Sequence, residues 1–209
     1  MILYRIVRAL IVGFSKLYWR LSIEGREHVP AEGPFVLAPV HRSNVDFAIA
    51  STLTKRRMRF MGKASLFKPK PFAAFITALG AYPVHRGAAD REALRRTIEM
   101  IEGGEPVVIF PEGTRQSGPE VQKLFEGAAY LSTRTGVPIV PVGIGGSEKA
   151  MPKGSKLLYP AKISVVIGPA LHPKPPEEGK RTSRRAIHEL TEQLHTEIQK
   201  LFDQAQPKT

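Results

Sequence analysis

Residues 39–47 read PVHRSNVDF, with a histidine five positions before an aspartate. The run PFVLAP delivers the chain to His41, and Asp46 stands where an apolar helical segment, FAIASTL, can begin. A carboxylate at that spacing can accept from the imidazole Nδ1–H, fixing the tautomer and steadying the imidazolium. Nε2 is then free to take a proton from a hydroxyl. The pair is the base and orienter of a serine-type triad without its serine, so it suits a substrate that brings its own hydroxyl. Read alone, the same residues also fit a loop histidine followed by a helix cap at Asn44 or Asp46.

A second group of candidates is FPEGTRQSG, residues 110–118, directly after the apolar run PVVIF. A tight Pro-Glu-Gly-Thr turn with free backbone N–H groups suits an anion, and Arg115 adds a forked donor for phosphate or carboxylate. In GAYPVHRGAADR, residues 80–91, Arg86 follows a short strand, and Lys63 leaves RFMG in the same manner. Three cations (Lys63, Arg86 and Arg115) therefore follow three strand ends, the rim on which α/β folds build their sites and where His41 also sits.

These residues need a scaffold, and the apolar patterning supplies one. Residues 34–38, 59–62, 106–110 and 163–168 read as short buried strands. VPIVPVGI, residues 137–144, reads as an interrupted or edge strand because Pro138 and Pro141 cannot donate to a ladder. Between strands, Asp90 caps a helix with Leu94, Ile98 and Ile101 on one face, ended by Gly103-Gly104. Another helix runs from about Val121 to Thr135 and stops at Gly136. A Pro-rich linker, residues 171–183, leads to a last helix with Ile187, Leu190, Leu194, Ile198 and Leu201 in a stripe. Strand–helix alternation implies an α/β domain, a mostly parallel central sheet flanked by helices.

The first residues differ. In MILYRIVRALIVGFSKLYWRL the longest uncharged run, Ala9 to Ser15, is seven residues, far short of the ~20 a membrane span needs. It also lacks a small-residue cleavage site, so a removable signal peptide is not expected. On a helix, Leu3, Ile6, Val7, Leu10, Phe14, Leu17 and Leu21 share one side, and Arg5, Arg8, Lys16 and Arg20 the other, with Tyr18 and Trp19 near the end. This pattern points to a helix lying in a bilayer surface; the alternative is one packed on the domain with solvated charges. The expected division is a membrane-associating helix over residues 1–24 and a catalytic domain over 25–209.

The net charge is +12, and residues 1–70 hold 13 Lys and Arg against 4 Asp and Glu. A basic face attracts phosphate, in nucleic acid, lipid headgroups or a substrate. The absence of cysteine excludes thiol nucleophiles, Cys-ligated zinc and disulfides, and fits a reducing compartment.

Taken together, the motifs resemble the glycerolipid acyltransferase family. HRSNVD (41–46) is similar to its His-x4-Asp block, GAYPVHRG (80–87) to its second, FPEGTR (110–115) to its third and VPIVPVGI (137–144) to its fourth. Departures are Val40 where many members carry Asn, and KLFEGAAYL with Glu126 after the third block, in place of the usual Lys-rich approach to the glycine. The resemblance implies transfer of a fatty acyl group from a thioester to a hydroxyl of a phosphoglycerol, most naturally 1-acyl-sn-glycerol 3-phosphate, giving phosphatidic acid. His41 would be the base and Asp46 its orienter. Arg86, Glu112, Gly113, Thr114 and Arg115 would form the acceptor site with Lys63 as a further phosphate contact, and residues 137–144 would support the site and the acyl chain. It implies no metal and no cofactor, acyl-CoA or acyl-carrier-protein as donor, and a peripheral place on the cytoplasmic face of an anionic membrane. A thioester is already activated, which fits the missing Cys and the missing Gly-x-Ser-x-Gly. The rivals are a thioester or lysophospholipid hydrolase and a non-enzymatic binding module for anionic membrane or nucleic acid. No zinc-finger spacing or RNA-recognition signature supports a nucleic-acid partner.

Overall fold

The computed structural model describes residues 2–84, 91–174 and 183–206. Arg86, the expected cap Asp90 and most of the Pro-rich linker lie outside them. In chain order the elements are α1 (Ile2–Tyr18), β1 (Ser22–Glu24), β2 (Val36–Pro39), α2 (Asp46–Thr52), β3 (Arg59–Lys63), α3 (Lys70–Ala78), β4 (Ala81–Val84), α4 (Arg91–Glu102), β5 (Val107–Val108), α5 (Gly127–Thr135), β6 (Ile139–Gly145), α6 (Ser147–Ala150), β7 (Ser164–Ile167) and α7 (Arg184–Ala205).

The strands form one seven-stranded sheet in the order β1-β7-β6-β2-β5-β3-β4. β6, β2, β5, β3 and β4 are parallel, β7 runs antiparallel to β6, and β1 is parallel to β7. The expected α/β class is therefore the observed one. The chain leaves β2 through α2 toward β3 and leaves β5 through α5 toward β6, in opposite directions across the sheet. With right-handed crossovers, the two helices fall on opposite faces. β2 and β5 are neighbours, so the ends of these strands flank a topological switch point, where open α/β sheets bind ligands.

β6 is buried along its whole length and lies in the sheet's interior, which corrects the edge-strand expectation. Pro141 is tolerated there because of where its missing donor faces. Its carbonyl accepts from Gly168 N–H at 3.0 Å, so its nitrogen points to the same side, just past the last β6–β7 pair, Val142↔Ile167. The glycines of β6 have a packing reason. A Cβ on Gly143 would collide with the Leu201 backbone and one on Gly145 with that of Ala205, so α7 lies close against the strand. The α7 stripe, Ile187, Leu190, Leu194, Ile198 and Leu201, is buried as expected, and Ser183 Oγ caps the helix by accepting from Arg185 N–H.

Two boundaries differ from the reading of the sequence. α5 starts at Gly127 rather than near Val121, because residues 121–125 are claimed by other parts of the fold. Val121 N–H donates to Gln199 Oε1, and Phe125 N–H to Pro111 O. α3 has no counterpart in the sequence reading.

α1 packs on α2 through an inward face carrying Tyr4 and Ser15. Arg8 belongs to this inner side, not to a solvated cationic face. Its guanidinium binds Ser51 O at 3.1 Å, Thr54 O at 2.7 Å and Thr52 O at 3.2 Å, the bare carbonyls at the end of α2. Trp19 is buried too, correcting its reading as an interfacial aromatic. The outward stripe is apolar: Leu3, Ile6, Leu10, Phe14 and Leu17 all stand exposed, Leu17 at 85%. Among the described residues no helix is long and apolar enough to cross a membrane. β1 precedes the expected division at residue 24 and is an edge strand of the sheet.

Candidate active site

The site is built where β2 and β5 end. Val40, buried, donates its N–H to Val142 O and carries the last ladder bond before the chain turns at His41. Asp46 opens α2 and is fully buried. One of its oxygens, Oδ2, accepts from His41 Nδ1 at 3.0 Å, Arg42 N–H at 2.7 Å and Ser43 N–H at 2.7 Å. The carboxylate thus folds the loop before it back onto itself, and α2 has no side-chain cap. The capping alternative for Asp46 is excluded by these bonds. An acceptor-only carboxylate at Nδ1 makes that nitrogen the N–H, leaving Nε2 with a lone pair. His41 is 2% exposed, with the Phe110 ring centroid 4.2 Å from that of the imidazole and Phe47 edge-on at 5.5 Å. Aromatic walls hold the ring's plane while the carboxylate holds its rotation.

The turn after β5 grips the same residue by its backbone. His41 N–H donates to Glu112 Oε2 at 2.8 Å, and His41 O accepts from Gln116 N–H at 2.9 Å. Glu112 Oε1 takes Arg42 Nη1 at 2.7 Å and Gln122 N–H at 3.2 Å. Arg42 also donates to Glu120 O and lies over the Phe202 ring at 4.7 Å. Arg42 and Glu112 are both buried, so each charge compensates the other where bulk solvent does not reach.

This arrangement redistributes the residues expected at the acceptor site. Glu112 serves as a brace behind His41, with both oxygens occupied. Gly113 N–H bonds Phe110 O and Thr114 N–H bonds Glu112 O, so these N–H groups close the turn rather than stand free for an anion. Gly113 has φ +69°, the left-handed region that favours glycine. Neither Gly113 nor Thr114 lines the cavity beside His41, whereas Arg115 and Lys63 both do. Neither of those cations has an acidic partner among the described residues. Arg86 lies outside the described residues. The sequence reading missed Arg42, Gln116 and the two phenylalanines around the imidazole. Only Arg42, a charge wedged between His41 and Asp46, left a local signal.

The cavity itself measures about 520 Å³. From His41 and Arg115 it runs past Phe47 and Phe60 to Phe72 and Ile76 of α3, with Val7 and Ile11 of α1 as one wall. Burial pushes the Tyr4 phenol up from its ordinary value, so this lining residue stays neutral. None of residues 137–144 lines the cavity; they lie in the core behind it. Among the described residues no group of three or more His, Asp or Glu side chains could hold a metal ion. The lining is largely apolar, with His41 and the cations Arg8, Lys63 and Arg115 among it.

A family profile described as Acyltransferase matches residues 20–145, more than half of the chain. A 1-acyl-sn-glycerol-3-phosphate acyltransferase of Bacillus subtilis is 28% identical over 182 residues, covering 87% of this chain and 87% of that protein. A chloroplastic 1-acyl-sn-glycerol-3-phosphate acyltransferase of Arabidopsis thaliana is 29% identical over 159 residues, 74% of this chain but only 44% of its own length. The crystal structure of the 1-acyl-sn-glycerophosphate acyltransferase from Thermotoga maritima superposes with a TM-score of 0.76 at 24% identity, covering 98% of this chain and 83% of that one, a likeness of fold.

Proposed function

The chain belongs to the acyltransferase family, and on that premise we propose that it moves a fatty acyl group from an acyl thioester to the free hydroxyl of 1-acyl-sn-glycerol 3-phosphate, yielding phosphatidic acid. The observation that carries this reading is the His41–Asp46 pair at 3.0 Å, with His41 on the wall of a cavity also lined by Lys63 and Arg115. His41 Nε2 takes the proton as the acceptor oxygen attacks the thioester carbonyl. The C–O bond forms, the C–S bond breaks, and the imidazolium returns its proton to the departing thiolate. Asp46 holds the ring and offsets the transient charge. Lys63 and Arg115, joined by Arg86, bind the acceptor's phosphate, and the apolar arm of the cavity takes an acyl chain. Base catalysis of this kind contributes about 10²–10⁴-fold, and positioning an anchored acceptor beside the thioester about 7–11 kcal/mol. The anchor therefore matters at least as much as the base.

The donor is acyl-CoA or acyl-carrier-protein, used as co-substrate. On our reading the protein sits peripherally on the cytoplasmic face of an anionic membrane, where a lysophospholipid and its product both partition; the outward stripe of α1 supports the peripheral contact. The test is product identification by mass spectrometry, with purified protein given an acyl thioester and a panel of phosphoglycerol acceptors. Phosphatidic acid formation with thioester consumption that requires the acceptor is expected. Equal consumption without acceptor would instead mark a hydrolase.

A further inference from the structure

Residues 149–162, KAMPKGSKLLYPAK, contain four lysines and no acidic residue. They run from the last residues of α6 toward β7, and among them Leu157 is 65% exposed, with Leu158 and Tyr159 each at 44%. Three consecutive large apolar side chains facing water mark a contact surface rather than scattered exposure. Lys153, Lys156 and Lys162 stand exposed on either side, with no ion-pair partner among the described residues. The exposed faces of α4 and α7 look different: Arg95 pairs with Glu92 and Glu99, and Arg185 with Glu189, as suits surfaces bathed in water.

The segment is fastened to the end of α1. Tyr18 Oη donates to Leu158 O at 3.1 Å, and Trp19 Nε1 to Tyr159 O at 3.2 Å. Phe14 stacks on Tyr18 at 4.9 Å and meets Trp19 edge-on at 5.0 Å. The exposed stripe of α1 therefore runs on through Phe14 and Tyr18 to the loop.

We propose that the 153–162 loop is a second membrane contact. Leu157, Leu158 and Tyr159 enter the headgroup boundary of an anionic bilayer, while Lys153, Lys156 and Lys162 meet lipid phosphates. Apolar side chains with an interfacial tyrosine, ringed by unpaired lysines, match such a surface in both polarity and charge. The proposal rests on the reading of α1 as a membrane-surface helix and adds what one helix lacks. A single helix is a line about which the domain can roll. A second contact, hydrogen-bonded to the end of that helix, resists this roll and adds lysines to the same surface.

The test uses the full chain and vesicles of phosphatidylcholine with or without phosphatidylglycerol, read by flotation. The double variant Leu157→Glu, Leu158→Glu is expected to lose at least about tenfold in vesicle affinity. Its turnover in detergent micelles and the emission of Trp19, the one tryptophan, stay at the wild-type value. Lys153→Gln with Lys156→Gln is expected to lose about fivefold per lysine, on anionic vesicles only. Wild-type affinity in the leucine variant overturns the proposal, as does a change in oligomeric state without a change in affinity, which would mark a contact between copies. A parallel variant, Leu10→Glu with Leu17→Glu, tests α1 separately. Release by it alone leaves the α1 reading standing and sinks the loop; release by the loop variant alone does the reverse. Should the leucine variant not fold, Leu157→Trp with brominated lipid decides: quenching of the added emission supports insertion, and its absence excludes it.

Discussion

The backbone N–H of His41 donates at 2.8 Å to Glu112, 71 residues further along the chain. Through this bond, and the 2.7 Å ion pair from the same carboxylate to Arg42, the turn after β5 holds the loop after β2. The imidazole is thus located by two carboxylates. Asp46 sets the ring, and Glu112 sets the backbone that carries it.

Replacing Glu112 separates a brace from a substrate contact. Glu112→Ala leaves the Arg42 guanidinium buried without its partner and is expected to cost about 3–5 kcal/mol in denaturant unfolding. Glu112→Gln keeps the shape, costs less, and lowers kcat while KM for the acceptor stays near wild type. A rise in acceptor KM with kcat unchanged would return Glu112 to the acceptor's contacts.

His41→Ala is expected to lower turnover by about 10²–10⁴-fold with vesicle binding intact. Asp46→Asn removes the charge that fixes the Nδ1–H tautomer and should fall in the same range. Thioester consumption at the wild-type rate in either variant would remove the pair from the mechanism.

Arg115→Ala and Lys63→Ala each delete a charge-assisted contact worth about 1.5–3 kcal/mol, or roughly 10–150-fold in kcat/KM for the phosphorylated acceptor. The donor's KM should barely move. The discriminating measurement compares each variant on the phosphate-bearing acceptor and on its dephosphorylated analogue. Only the former should weaken.

Tyr82 provides a pH dependence away from the site. Burial pushes its hydroxyl up from 10.0 to about 12, partly countered by the 2.8 Å hydrogen bond with Thr97. Between those values the unfolded chain loses the proton while the folded one keeps it. The contribution is complete below pH ~10 and drains away by about 2–3 kcal/mol as pH rises toward ~12. Urea unfolding of wild type and Tyr82→Phe at both ends of that window should show the steeper loss in wild type.

How much of this could be read in advance depends on the distance between partners. His41 and Asp46 lie five residues apart within one loop and the start of one helix, so the spacing offered the pair, and the 3.0 Å bond in the folded chain decided it over a helix cap. Most of the strands showed in the same way, because burial on both faces leaves a continuous apolar run. The α7 stripe showed because a helix repeats its inward face every turn.

What tertiary structure alone decided was long-range. FPEGTR resembles an anion cradle, yet whether its N–H groups are free depends on how the turn closes, and whether Glu112 meets substrate depends on Arg42 arriving from another strand. Pro141 reads as an edge residue until its missing donor is seen to face the place where β7 ends. Arg8 reads as a solvated charge until the carbonyls of α2 stand in front of it. Local sequence determined which groups could do chemistry, because periodicity and short spacing act through one stretch of chain. The fold decided which of those groups face the cavity, because hydrogen bonds and buried charge are settled between segments far apart in sequence.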